Sequence, residues 1–409
     1  MVLNKAGSCW PVTLAISSPH MSFLSRSSAF VLVTAAFSLA SCSKEDSVVP
    51  ASQSLRAKME YATLTGTTPY TTSFKDASGA STVDLGLAAV RLDMFSELNN
   101  YMALVAVQAP ATPAVLDIAK LRNLYTGANA PFAAAPLNAA AATGVSLREK
   151  TAASFPEASA ATVRAYFDAK LTELATASQS VNQVAAPGKA GRLGRYLVDA
   201  NGYEVNQIIQ KGLIGAVLLD QIGNVLLTNA ALTAENGKVA AGKAYTEREH
   251  NWDLAYGYLT ANATMVTDIA ITPRERFLAG YLNEKNGPAS PAVYIALLKG
   301  RAAIVNNDAA TLKAQADIVR TELEKTIAKS AVSYLTNWKS HPTLDAKAHA
   351  LGEGLGFVYS LRFCTKSGAD VAWADSVLNG LTSSSQGAWT LTAAQADAAI
   401  AAINAKFSL

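Results

Sequence analysis

Histidine is scarce in this chain, four residues in 409, and two of the four lie among acids at helical spacing. Glu247 stands three residues before His250, and Asp253 three residues after it. On a helix both spacings place the side chains on one face. Glu-x-x-His is also the pair by which di-iron bundles present a carboxylate and an imidazole to one ion. Asp345-x3-His349-x3-Glu353 lines up three polar groups along a helix in the same way. Glu204, in the segment Asn201-Gly-Tyr-Glu-Val-Asn-Gln207, is a further acid on a helix apolar enough to be buried. If the two imidazoles converge, His250, His349, Glu353, Glu247, Asp253 and Glu204 form a nitrogen and oxygen ligand set suited to Fe or Zn. The same residues equally make a buried network in which imidazole bridges two carboxylates. Asn201 with Glu204, and Thr246 with Glu249, have in addition the spacing of a capping box.

Other chemistries find little footing. There is no His-Glu-x-x-His, no second Glu-x-x-His, no Gly-x-Ser-x-Gly elbow, no Walker loop and no glycine-rich dinucleotide turn. A metallopeptidase needs an open coordination position beside a carboxylate base, and no motif here supplies one. Trp252, Trp338, Trp373 and Trp389 are dispersed and read as core residues before they read as a sugar platform. Cys364 follows Leu361 and Phe363 and reads as a buried structural thiol.

The elements that must carry these groups are helices. Leu85, Leu87, Val90, Met94, Leu98 and Met102 recur at three- and four-residue steps across 83–107. Pro110 and Pro113 end that pattern, and a shorter helix runs to about Tyr125. The Ala- and Pro-rich stretch 128–145 reads as a loop, and 183–192 as a connector. Helices are expected near 156–178, 203–227, 246–262, 273–285, 291–305, 308–338, 345–366, 371–382 and 392–407. In the long apolar helix at 203–227, Gln207, Lys211 and Gly215 share a face, and Gly212 and Gly215 let another helix approach closely. Period-two alternation is nearly absent. The expected fold is all-α, a bundle or array of roughly ten helices around one core, occupying 83–409 as a single domain after an irregular segment at 42–82.

The N-terminus carries an address. Residues 21–42 read MSFLSRSSAFVLVTAAFSLASC: Arg26, an apolar run from Ala29 to Ala40, then small residues before Cys42. That is the layout of a secretory signal, too short for a bilayer span of ~20 apolar residues. Leu39-Ala-Ser-Cys42 resembles a lipoprotein box, which makes Cys42 the acylated mature N-terminus and 1–41 an over-extended start plus a removed signal. Removal takes Lys5 and Arg26 and no acid, leaving 32 Lys+Arg against 31 Asp+Glu. So even a balance argues against nucleic acid as a partner. The expected partner is a membrane, reached through lipid on Cys42.

Several stretches resemble one family. They are Ala89-Val-Arg-Leu-Asp-Met94, Gly202-Tyr-Glu-Val-Asn-Gln-Ile-Ile-Gln-Lys-Gly-Leu-Ile-Gly-Ala216, Glu249-His-Asn-Trp-Asp-Leu-Ala-Tyr-Gly-Tyr258, Gly300-Arg-Ala-Ala-Ile304 and His349-Ala-Leu-Gly-Glu-Gly-Leu-Gly-Phe-Val-Tyr-Ser-Leu361. Together they resemble Bacteroidota lipoproteins known as domain of unknown function 4856, loosely akin to imelysin-like proteins. Ser43-Lys-Glu-Asp46 similarly resembles the export signal of surface lipoproteins in that phylum. The resemblance implies a helical lipoprotein of the outer membrane, on its surface or its periplasmic face. Imelysin-like proteins carry Gly-x-His-x-x-Glu and are linked to iron uptake, with which an uptake partner in the outer membrane would fit. Here Arg248 stands two residues before His250, Asp253 replaces the Glu, and Lys347 stands two residues before His349. The leading expectation is a non-enzymatic lipoprotein that binds an iron-related or other ligand near His250, His349 and Glu353. A glycan- or protein-partner-binding surface module is the alternative, and a metallopeptidase the third reading.

Overall fold

The computed structural model describes residues 55–106 and 112–409. The expected signal, Cys42 and the start of the tether lie outside the described residues. In chain order the α-helices are α1 (Tyr70–Ser73), α2 (Gly86–Met102), α3 (Ile118–Thr126), α4 (Ala135–Ala142), α5 (Leu147–Lys150), α6 (Glu157–Ser178), α7 (Val205–Leu213), α8 (Asn229–Leu232), α9 (Glu247–Leu259), α10 (Phe277–Lys285), α11 (Ser290–Asn306), α12 (Ala309–Ser340), α13 (Leu344–Ser360), α14 (Val371–Thr382) and α15 (Ala393–Phe407). A π-helix, Ile214–Leu226, continues α7. The described sheet is one antiparallel hairpin, β1 (Gly191–Leu193) with β2 (Tyr196–Val198), Gly191 opposite Val198. The all-α expectation holds. No described helix is long and apolar enough to cross a membrane.

Side-chain caps set many of the helix starts. Thr246 and Glu249 form a reciprocal capping box at α9, and Thr392 with Gln395 another at α15. Asp308 caps α12 by accepting from Thr311 N–H, and Asp370 caps α14 through Trp373 N–H. The long α12 ends at His341, where Pro342 forbids continuation. It then serves as a spine, packing against α10, α11, α13 and α15. The irregular N-terminal segment is bound into the core: Tyr70 and Phe74 are fully buried, and Tyr70 stacks on Tyr256 with ring centroids 3.8 Å apart.

Three local expectations need correction. The stretch 128–145 contains α4, because Pro136 sits at its first turn, where a missing N–H costs nothing. The connector 183–192 contributes β1. The helix expected over 203–227 changes type at Ile214. There the Ser360 hydroxyl intervenes between two backbone groups that an α-helix would join. It accepts from Gly215 N–H at 3.2 Å and donates to the Lys211 carbonyl at 2.7 Å. The Ala216 carbonyl is likewise taken by Ala152 N–H from outside the helix. A side chain inserted in the i→i−4 ladder opens the turn, and wider π bonding follows.

Close helix contacts rest on small residues. Gly215 lies against Ser360, and α7 runs in register with α13: Gln207 meets Gly352, Lys211 meets Gly356, and Gly215 meets Ser360. At Gly300, on α11, an added methyl group would overlap the six-membered ring of Trp252, itself fully buried and donating its indole N–H to the Leu297 carbonyl. Gly300→Ala should therefore destabilise the fold by about 1–3 kcal/mol through overpacking, read as a lower urea midpoint at unchanged slope.

Candidate functional site

The six acids and imidazoles singled out above fall into separate settings. Glu247 is exposed at the start of α9 and takes no part. One turn on, Glu249 and Asp253 face α11 and receive the guanidinium of Arg301, which is fully buried. Arg301 Nη1 donates to Glu249 Oε1 and Nε to Asp253 Oδ1, each at 2.9 Å. Its Nη2 reaches Thr82 Oγ1 at 3.0 Å. Tyr70 O–H donates to Asp253 at 2.8 Å, and Arg56 pairs with Glu249. Burial raises the Glu249 carboxyl, but Arg301 and Arg56 outweigh it and leave the pKa lowered. Burial lifts Asp253 to about 6 against the pull of Arg301. Asp253 is thus committed to an internal ion pair and does not act with His250.

His349, on α13, meets Glu204 and Glu353 as its spacing suggested for Glu353 and only the fold could show for Glu204. Its Nδ1 lies 2.7 Å from Glu204 Oε2, and its Nε2 3.7 Å from Glu353 Oε2. Glu204 is itself the N-cap residue of α7 and makes no side-chain cap bond, so the expected capping box with Asn201 is not formed. Its carboxylate goes to the imidazole instead. Glu353 takes Lys211 Nζ at 3.0 Å and Tyr281 O–H at 3.2 Å, and Tyr196 stacks on the imidazole at 4.3 Å. Every charge in this group has an opposite charge beside it. Burial works against protonation of His349, but the hydrogen bond and charge of Glu204, with Glu353 behind, raise its pKa above 6.5.

His250 stands apart from both groups. Its helix packs on α2, α11 and the π-helix, whereas α13 packs on α7 and α12. His250 stacks on Tyr245 at 4.3 Å and borders a cavity of about 510 Å³. The cavity lies between α2, α9 and the π-helix, with Leu87, Leu254, Val225 and Leu226 as its apolar walls. Arg91 and Tyr258 form part of the lining, and Arg91 is held by the Ser146 carbonyl at 3.1 Å and by Glu149. Two lining residues each carry a buried side-chain atom without a hydrogen-bond partner: His250 Nδ1 and Gln221 Nε2. Gln221 is only 3% exposed. Burial lowers the His250 pKa below 6.5, so the ring is neutral at pH 7.

The expected single metal centre is therefore not assembled, because helix rotation sends Asp253 to Arg301, His250 to the cavity and His349 to α7. Among the described residues no group of three or more His, Cys, Asp or Glu side chains is arranged to hold a metal ion. Arg301 and Gln221 escaped the sequence reading. The signal for each was a polar residue inside an apolar helical run, Leu297-Leu-Lys-Gly-Arg-Ala-Ala-Ile304 and Val217-Leu-Leu-Asp-Gln-Ile222. Trp252 is fully buried and Trp373 half-buried against Phe407, as core residues rather than a sugar platform. Cys364 is buried, which pushes its thiol pKa well up.

Fold and site define an all-α protein with a cavity of mixed polar and apolar lining beside a π-helix. The chain belongs to the family described as Domain of unknown function (DUF4856), whose model matches residues 69–409. No curated protein and no solved structure matches it.

The His349 group carries a pH signature. Unfolded histidine titrates near 6.5 and folded His349 higher, so the folded chain holds the proton more tightly. Its linked stability is complete below the unfolded pKa and is lost as pH rises through the folded one. Urea midpoints across that window should fall more steeply for the native protein than for His349→Gln. Parallel curves would show that Glu204 does not hold a proton on this ring.

Proposed function

We propose that this protein is a lipid-anchored, non-enzymatic binding protein of the outer membrane whose ligand occupies the cavity beside His250. Gln221 carries the reading. A buried amide N–H₂ without a partner costs roughly 1–3 kcal/mol, and a turn of the Gln221 side chain toward the cavity it lines would let a ligand acceptor recover it. The cavity volume of about 510 Å³ falls in the small-molecule range of ~300–1,000 Å³. The π-helix that presents Gln221 is a rare element that is frequent at functional sites. Among the described lining residues no serine, threonine or cysteine stands beside His250 as a nucleophile, which favours binding over catalysis. The anchor rests on the signal-like run before Cys42.

Two measurements test this reading. In a thermal-shift panel of sugars, amino acids and organic acids, a ligand at a hundredfold its Kd should stabilise the protein by ~2.7 kcal/mol. Gln221→Leu should abolish that shift, and an unchanged shift would place the ligand elsewhere. For the anchor, Cys42→Ser should release the protein from the membrane fraction and stop incorporation of labelled acyl chains. Persistent membrane association without label would remove the lipid.

A further inference from the structure

Resting on the anchor reading above, we infer that a groove at the N-terminal entry of the fold is a membrane-docking surface, whose lysines meet the phosphates of anionic lipid headgroups. The groove encloses about 440 Å³ and is bordered by Leu55, Arg56, Lys58, Met59, Lys75 and Asp76. Both lysines stand on backbone that the core holds in place. Asn306, at the end of α11, accepts from Met59 N–H at 2.9 Å and donates its amide to the Met59 carbonyl at 2.8 Å. Arg56 is tied to Glu249 at 3.0 Å, so Lys58 lies between two fastened residues. Lys75 follows Phe74, whose ring is fully buried and whose carbonyl accepts from Thr82 N–H at 2.9 Å.

The charges on this lining are unbalanced. Lys58 and Lys75 are exposed, and neither forms an ion pair among the described residues. Arg56 is answered by Glu249, which leaves Asp76 as the acid of the described lining. Its Oδ1 already accepts from the Ser78 and Ala80 N–H groups and from the Ser78 hydroxyl. Two like charges bordering one groove repel, and an anion brought to both attracts each. An ammonium offers three N–H donors and a full charge, which suits a phosphate.

The position of the groove along the chain selects the source of that phosphate. Leu55 is the described residue nearest Cys42 in sequence, and it borders the groove at 39% exposure. Thirteen residue steps separate the two, and a chain of that length spans at most about 45 Å by any path. Lipid on Cys42 therefore keeps this groove within reach of the bilayer. Leu55 and Met59 add apolar surface beside the lysines, a combination that suits the boundary between headgroups and acyl chains. Each lysine beside an anionic membrane surface strengthens the contact about fivefold.

Footprinting of the acylated full-length protein tests this docking. The protein is reconstituted in vesicles of phosphatidylcholine alone or mixed with phosphatidylglycerol. Its lysines are acetylated with limiting reagent and read by peptide mass spectrometry. Lys58 and Lys75 should react about fivefold or more slowly on the anionic vesicles. That protection should vanish in about 1 M salt, where screening acts within ~3 Å. Lys189, exposed beside β1, should react alike on both. Equal rates for Lys58 and Lys75 on the two membranes, or protection that Lys189 shares, would overturn the inference. Inorganic phosphate that protects them as well as vesicles do would assign the groove to a soluble anion and overturn it too. The N-terminal peptide reports the anchor separately. Acylated Cys42 with unprotected lysines removes the docking and leaves the anchor, whereas Cys42 without lipid removes both.

Discussion

The rest of the structure hangs on one buried cation. The Arg301 guanidinium has no exposed surface, and its neighbours come from three other parts of the chain: Thr82 from the N-terminal segment, the Phe74 ring beneath its face, and Glu249 and Asp253 on α9. A planar fork of five donors satisfies several acceptors in one geometry only, so it fixes the rotation of α9 about its own axis. Successive residues on a helix are turned by about 100°. Once Glu249 and Asp253 are held toward α11, His250 and Leu254 must face the neighbouring direction, and that direction is the cavity. Buried ion pairs are weak arguments for stability and stronger ones for a single register. Here the register is what aims the histidine.

A second constraint aims Gln221. The α7/α13 pair approaches closely because Gly352, Gly356 and Gly215 remove side chains from the contact, and that approach brings the Ser360 hydroxyl into the α7 ladder. The opened turn becomes the π-helix, and the residues after it no longer follow the phase that α7 sets. Asp220 turns to Ser154 and Asn224, and Gln221 lines the cavity. The two walls of the cavity are thus set by unrelated devices, an ion pair on one side and a hydroxyl inserted in a helix on the other.

Much of the fold was legible in the sequence, for reasons that also explain what was not. Caps and prolines are local, so the starts of α9, α12, α14 and α15 could be placed within a residue or two. The face shared by His349 and Glu353 is likewise local. Which helix that face meets is not: Glu204 reaches His349 only because two glycine-lined helices run in register. Periodicity puts Glu247, His250 and Asp253 on one side of α9, but that side is wide enough to straddle solvent, a cavity and the core. The change at Ile214 was invisible because its cause, Ser360, lies far along the chain.

The two histidines divide on satisfaction rather than on sequence context. His349 has a carboxylate on each side, an aromatic ring on its face, and a lysine completing the charge balance behind it. Such a group is closed, and a metal or ligand would have to displace bonds already made. His250 is stacked, desolvated and neutral, with Nδ1 buried without a partner, and its side chain borders a space large enough for a small molecule. A satisfied polar network stabilises a fold, whereas an unsatisfied one beside a cavity carries a penalty that folding alone does not recover. Of the described buried atoms without a partner, His250 Nδ1 and Gln221 Nε2 belong to residues on two different elements, α9 and the π-helix, that line one cavity, so the two penalties fall beside the same space although separate devices set them.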